Sequence, residues 1–248
     1  MRKSLTAAVF ISGMTSLALE MLASRLLGNY FGTSNLVWAS IIGLILIYIT
    51  AGNYLGGLWA DRSPSYRTFF LIQIWAALAI AATPLISRPV LRLAADAFDQ
   101  LQLGVLAGSF LSVMVLFIAP VVLLGTISPF AVRLALQSPR PVGSTAGKIY
   151  AISTLGSFVG TFLPVLILVP LVGTYRSFLI ISAILLVTAL VGLGLTVSWR
   201  DAFRYFWAPV IVLVLGLVGL RGMDKATPGL VYETESAYNY IQVLQQDD

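Results

Sequence analysis

The chain of 248 residues contains neither cysteine nor histidine. It therefore lacks disulfides, thiolate and imidazole catalysts, and the side chains that most often hold zinc or haem. We predict no metal and no cofactor. Charged residues are scarce as well, at 10% of the chain, compared with about 25% in an ordinary soluble domain. These few charges form no basic run, so nucleic acid is not an expected partner.

The chain is rich in apolar residues. They make up 58% of it, and its mean hydropathy is +0.93. Because a helix needs about 20 mostly apolar residues to cross a bilayer, we predict an all-α integral membrane protein with the lipid bilayer as a partner. Seven stretches qualify or nearly do: residues 5–27, 36–60, 69–87, 105–124, 150–171, 177–199 and 203–220.

The seventh stretch is the weakest of these. Its charge-free part, residues 205–220, would rise only about 24 Å as a helix. If all seven cross, nine lysines and arginines lie on the side of the N-terminus and five on the other. The positive-inside rule then places the N-terminus in the cytoplasm. We expect a multi-pass protein of a bacterial-type inner (plasma) membrane.

Two segments outside this simple pattern need separate predictions. Pro120 and Pro129 flank a Gly-Thr-Ile-Ser run, which predicts a kinked or broken fourth span. Such breaks line substrate sites in transporters, although kinks are also ordinary in membrane helices. Residues 91–101 have apolar positions at helical spacing. They predict either an amphipathic helix on the outer surface or a short connecting helix packed on the bundle.

Two pairs of segments indicate an internal repeat. SYRTFFLI at residues 65–72 returns as TYRSFLII at 174–181, and TAGNYLG at 50–56 parallels TLGSFVG at 154–160. Since each copy would contain three spans, the second copy runs upside down in the membrane. We predict a three-plus-three inverted repeat, the architecture of half a major-facilitator bundle. The alternative is chance similarity between apolar segments.

Glu20 lies inside the first apolar run, where an ionisable side chain is by default a functional-site hypothesis. It does not share a helix face with Arg25, because residues five apart lie about 140° from each other. Ser16 and Ser24 do share its face. These three residues and Asn53 form the predicted polar site, which either binds a cationic substrate or organises the bundle.

Four strings together resemble the membrane region of the fused major-facilitator-like and spermidine-synthase-like integral membrane proteins. They are ISGMTSLALEMLASRLL at residues 11–27, GNYLGGLWADR at 52–62, LGTISPF at 124–130 and GKIYA at 147–151. The second also resembles the inner-face loop motif of major-facilitator transporters. We therefore expect Asp61 and Arg62 to stabilise one conformation of the bundle. The resemblance divides the chain into a transmembrane helical domain, residues 1–222, and an extramembrane tail, residues 223–248.

The tail sequence VYETESAYNYIQV, residues 231–243, is similar to the first strands of the aminopropyltransferase fold. On its own composition, the segment from Tyr238 to Val243 predicts a strand. The family's cofactor turn and polyamine-binding carboxylates would follow these strands, and no such motif follows Val243. We therefore predict no enzyme activity for this chain, and a tail that is disordered or paired with a separate aminopropyltransferase-like protein.

Three functions are compatible with these features. The first is a non-catalytic membrane-embedded subunit or anchor related to the membrane half of spermidine-synthase-like proteins. The second is a transporter of a small organic cation such as a polyamine, which would require a homodimer because a full carrier has about twice as many spans. The third is an accessory structural subunit of a larger respiratory or photosynthetic complex, for which glycine-rich packing faces suffice.

Overall fold

The computed structural model of this chain describes residues 3–101, 105–136, 141–219, 229–236 and 240–245. These residues form a helical bundle followed by a two-stranded hairpin. The elements are α1 (Lys3–Phe31), α2 (Asn35–Arg62), α3 (Tyr66–Leu101), α4 (Val105–Gly125), α5 (Ile127–Ala135), α6 (Val142–Leu163), a π-helix (Pro164–Leu168), α7 (Val169–Val172), α8 (Thr174–Thr196), α9 (Trp199–Arg204), α10 (Trp207–Gly219), β1 (Leu230–Glu235) and β2 (Tyr240–Leu244).

Six segments of the described part are long and apolar enough to cross a membrane. They are α1, α2, α3 as far as Ala94, α4 with α5 from Leu106, α6 through α7, and α8. The first six predicted spans are thereby confirmed as helices of membrane-spanning length. Because successive spans alternate in direction, we name the two ends of the bundle after α1: the Lys3 end and the Arg25 end.

The seventh predicted span is only partly supported. It forms two short helices, and α10 has 13 described residues, a rise of about 20 Å that falls short of the roughly 30 Å hydrocarbon core. The ring of Trp207 lies 6.0 Å from that of Trp75, and Gly216 lies against Leu179 near the start of α8. The helix therefore runs antiparallel to α8, towards the Arg25 end.

The predicted surface helix at residues 91–101 is not a separate element. Its residues continue α3, which is one helix from Tyr66 to Leu101 with Pro84 and Pro89 inside it. The side chains of residues 95–101 lie outside the described part of the chain, so the predicted amphipathic face concerns residues that are not described.

The break predicted in span four is confirmed. α4 ends at Gly125, Thr126 forms a turn, and α5 begins at Ile127. Pro129 falls in the first turn of α5, where a missing N–H costs no helical hydrogen bond. Span five is irregular as well. After Pro164 the ladder widens to a π-helix, in which the Val169 N–H donates to the carbonyl of Pro164.

Backbone contact at glycines joins α1 to α6 and α2 to α4. A Cβ atom added to Gly156 would lie 2.0 Å from the Phe10 carbonyl oxygen, and one added to Gly52 would lie 2.4 Å from that of Val122. One turn further along, Gly160 meets Met14 and Gly56 meets Thr126 in the same way. The small-residue faces of spans two and five, Gly52 with Gly56 and Gly156 with Gly160, are therefore the faces on which these helices pack.

The helix contacts of the two halves correspond. α1 packs mainly on α6 and α8, and α4 packs mainly on α2 and α3. Exchanging α1 with α4, α2 with α6 and α3 with α8 turns the α1–α6 contact into the α4–α2 contact, and the α1–α8 contact into the α4–α3 contact. The α3–α8 contact is unchanged by this exchange. Large buried side chains fill the space between the helices: Phe69, Phe70, Phe117, Phe130 and Phe178.

We predict that Gly156→Ala destabilises the bundle. The added methyl group has no room beside the Phe10 carbonyl, and overpacking of this kind costs about 1–3 kcal/mol. Thermal unfolding of the purified protein in detergent should show a lower midpoint for this variant than for the parent.

Gly147→Ala is the matched control, since Gly147 lies on the same helix and has open space around its Cα. Alanine is better than glycine in a helix by about 1 kcal/mol, so this control should unfold at or above the temperature of the parent. Equal midpoints for the two variants would contradict the close approach of α1 and α6.

Candidate functional site

A small cavity lies where α1, α2, the α4–α5 break and α6 meet. Its volume is about 220 Å³, room for roughly seven waters at their share of liquid volume. No carboxylate, lysine or arginine lines it. Hydroxyl and amide groups from all four segments do: Ser12, Ser16, Asn53, Ser128, Ser153, Ser157 and Tyr150.

Several of these polar side chains have no hydrogen-bond partner among the residues that the structure describes. Within the described part of the chain, the side chains of Ser16, Asn53, Ser128 and Ser153 make no hydrogen bond. Serines in membrane helices commonly satisfy themselves by donating to a carbonyl one turn back, as Ser112 does to Gly108 at 2.8 Å. Asn53 is exposed and the three serines are half-buried, so these four groups face open space in which water or a ligand can pair with them.

The cavity lies on the boundary between the two halves of the bundle. The glycine contacts align α1 with α4, so that Phe10 corresponds to Val122 and Met14 to Thr126. In this register ten of the fourteen lining residues form pairs, one from each half. The pairs are Ser12 with Leu124, Gly13 with Gly125, Ser16 with Ser128, Ile49 with Ser153, and Asn53 with Ser157.

The helix backbone packs closely against a neighbouring helix at both glycines. Gly13 touches the Ser153 carbonyl and Gly125 touches the Ile49 carbonyl. The Ser157 hydroxyl donates to the carbonyl of Gly13 at 3.1 Å. The break after Gly125 brings the first turn of α5, with Ser128, to the cavity. A broken helix beside a polar cavity is the arrangement that a membrane interior tolerates.

The structure brings together two of the four residues of the predicted polar site. Ser16 and Asn53 line the cavity, from α1 and α2. Glu20 and Ser24 lie further along α1 and do not line it. The Ser24 hydroxyl donates to the Met21 carbonyl at 2.8 Å, and Glu20, half-buried, has neither a hydrogen bond nor an ion pair within the described residues.

A buried glutamine supports the wall of the cavity from behind. Gln73 of α3 is fully buried, and its amide donates to the Ser12 hydroxyl at 2.8 Å and to the Ala8 carbonyl at 3.2 Å. This cross-helix bond agrees with the ordinary role of such a residue in a bundle. It fixes Ser12, which lines the cavity, against α3.

The inner-face motif contributes an ion pair at the Lys3 end. Asp61 at the end of α2 pairs with Arg133 of α5, with 3.0 Å between Oδ1 and Nε. The Nε–H does not point along this line, so the contact is an ion pair and no hydrogen bond. Both side chains are exposed to a large extent, 73% for Asp61 and 43% for Arg133. Arg62 is exposed and has no partner among the residues that the structure describes.

The tail forms a β-hairpin. β1 and β2 pair antiparallel, with Thr234 opposite Ile241 and a bulge near Val231. The expectation of a disordered tail is wrong for these residues, because they satisfy each other's backbone hydrogen bonds. Tyr238 and Asn239, the start of the predicted strand, lie outside the described residues. At the other end of the bundle from Lys3, the Arg25 guanidinium donates to the Ser236 carbonyl.

Sequence reasoning missed most of this cavity. It singled out the charged residue of α1 and did not align α1 with α4. The signal was present as a shared Gly-x-x-Ser pattern, Gly13 to Ser16 and Gly125 to Ser128. A search for polar residues that recur in corresponding spans would have added Ser128 to Ser16, which was already part of the predicted site.

Comparison of the chain with protein-family models, with curated proteins and with solved structures gave no match.

We predict that the Asp61–Arg133 pair contributes little to stability. Exposed ion pairs are worth about 0–1 kcal/mol and are screened by salt. A double-mutant cycle with Asp61→Asn, Arg133→Gln and the double variant, followed by thermal unfolding, should give a coupling energy in this range that decreases at high salt. A coupling that is several times larger and insensitive to salt would show that the pair is desolvated in the membrane-bound protein.

Proposed function

We propose that this chain is the membrane half of a spermidine-synthase-like protein and acts as a non-catalytic subunit or anchor. The observation that carries the proposal is the hairpin of β1 and β2. It occurs at residues 230–244, where the sequence resembles the first strand pair of an aminopropyltransferase domain. The bundle and the start of a soluble sheet therefore follow each other in the order that the resemblance implies.

The hairpin supports the role of an anchor through its position and its open edges. Both outer edges of a two-stranded sheet have unpaired backbone groups, which are a template for further strands. The contact between Arg25 and Ser236 holds the hairpin near the end of α1. A separate or attached aminopropyltransferase-like sheet that adds to this edge would be fixed at the membrane surface.

The proposal includes the architecture of half a major-facilitator bundle. The exchange of α1 with α4, α2 with α6 and α3 with α8 supports a three-plus-three inverted repeat. The excess of basic residues at the Lys3 end supports a cytoplasmic N-terminus. With α9 and α10 as a seventh crossing, the hairpin lies on the opposite side.

Passage of a small solute is the second candidate function. The polar cavity at the boundary of the two repeats favours it, because inverted-repeat transporters bind substrates at such a boundary near the bilayer midplane. α2 and α6 carry most of their residues on the outside of the bundle, which leaves room for a second copy to complete a full-size carrier. The third candidate, an accessory subunit of a larger complex, has no observation of its own in its favour.

We predict that the tagged chain, purified in mild detergent, retains a soluble aminopropyltransferase domain from which the first strand pair has been deleted. Strand addition to the hairpin supplies backbone hydrogen bonds that the truncated sheet lacks. Co-elution in size-exclusion chromatography measures the complex.

Gln242→Pro removes a backbone donor in the middle of β2 and should abolish co-elution. Ile241→Val keeps the strand and should leave co-elution unchanged. Absence of a complex with the parent chain, or a complex that survives Gln242→Pro, would contradict the proposed role of the hairpin.

A further inference from the structure

We propose that the cavity between α1, α2, the α4–α5 break and α6 binds a small uncharged solute rich in hydroxyl or amide groups, and that it does not bind a polyamine. This inference deepens the second candidate function, passage of a solute, and rests on it.

The first reason is the chemistry of the lining. Four polar side chains with no partner in the described part of the chain face the cavity: Ser16, Asn53, Ser128 and Ser153. A hydroxyl both donates and accepts, and an amide offers two donors and an acceptor with two lone pairs. Such a set pairs with a solute that itself has donors and acceptors close together, as a polyol or a small amide has.

The second reason is the absence of charge at the cavity. None of its lining residues carries a carboxylate, and a cation taken from water into a low-dielectric site needs a counter-charge or pays several kcal/mol. Glu20, the residue expected to neutralise an ammonium group, lies outside the lining. A polyamine, with several positive charges, would meet only neutral dipoles there.

The third reason is that both halves of the bundle supply equivalent groups. Ser16 from α1 and Ser128 from α5 occupy corresponding positions in this register, as do the close backbone contacts at Gly13 and Gly125. A cavity built in this way offers similar hydroxyls from both halves of the bundle. It suits a compact solute with polar groups on both sides better than a long chain with charged ends.

Because the chain contains no cysteine, single cysteines can test this inference without background. Ser16→Cys and Ser128→Cys change one atom in each lining side chain and leave the packing in place. Thr50→Cys is the control: Thr50 is exposed on α2, one turn before Asn53, its hydroxyl donates to the Leu46 carbonyl at 2.8 Å, and it does not line the cavity. Each variant is reconstituted in nanodiscs and its rate of reaction with a neutral, hydrophilic methanethiosulfonate reagent is measured.

We expect both cavity cysteines to react and the cysteine at position 50 to remain unmodified, since it lies on the exposed face of α2, which the bilayer would cover. Glycerol, erythritol and urea are then added in turn as uncharged probes, and spermidine as the cationic probe. A bound probe should slow the reaction about twofold at a concentration equal to its dissociation constant, because half of the sites are then occupied. Protection by at least one uncharged probe, and none by spermidine, is the expected result.

The other outcomes separate the two levels of the proposal. Protection by spermidine, or by none of the probes, would overturn the assignment to an uncharged solute while leaving a water-filled cavity for solute passage. Failure of both cavity cysteines to react in a folded, monodisperse protein would show that the cavity is dry, and would overturn the solute-binding function together with this inference. Neither result bears on the hairpin, whose test is independent.

Discussion

The bundle depends on the close approach of helix backbones at glycine. Gly156 and Gly160 bring α6 against α1, and Gly52 and Gly56 bring α2 against α4. In a bilayer the lipid tails are as apolar as leucine side chains, so helices associate through packing and interhelical hydrogen bonds, and the smallest residues allow the largest contact. These two contacts hold the four helices that surround the cavity, and they set the register between the two halves.

The same contacts explain why a polar cavity can exist at this depth. Where α1 and α2 meet their partners through glycine and serine, the helices present carbonyls and hydroxyls in place of bulky apolar side chains. The turn at Thr126 interrupts the backbone ladder beside this polar surface, and the Thr126 hydroxyl donates to the Leu123 carbonyl at 2.7 Å. Polar groups freed by the break therefore have partners nearby, which a lipid-facing break would lack.

Charge and packing have separate places in this molecule. Two ion pairs between different helices lie at the Lys3 end, where Asp61 meets Arg133 and Asp201 meets Arg67 at 3.9 Å. At that end water and headgroups screen them, so they mark the surface and orient the protein more than they stabilise it. The interior is held by apolar contact and by neutral hydrogen bonds such as that of Gln73 with Ser12. Glu20 takes part neither in these ion pairs nor in these neutral hydrogen bonds, and its role is still a prediction.

Hydropathy and helix signals in the sequence alone determined that this is a multi-pass helical protein, where six of its spans lie and that the fourth is broken, and they pointed to two pairs of similar segments. These features follow from local chemistry: apolar length, missing proline N–H groups and recurring strings. Only the tertiary structure decided which residues of α1 correspond to which of α4, that Ser16 and Asn53 share a cavity without Glu20, and that the tail pairs into a hairpin held by Arg25. Each of these depends on which helix faces which, and that choice is made by contacts between residues more than one hundred positions apart, such as Ser157 with Gly13. No short segment of the sequence contains both partners of such a contact.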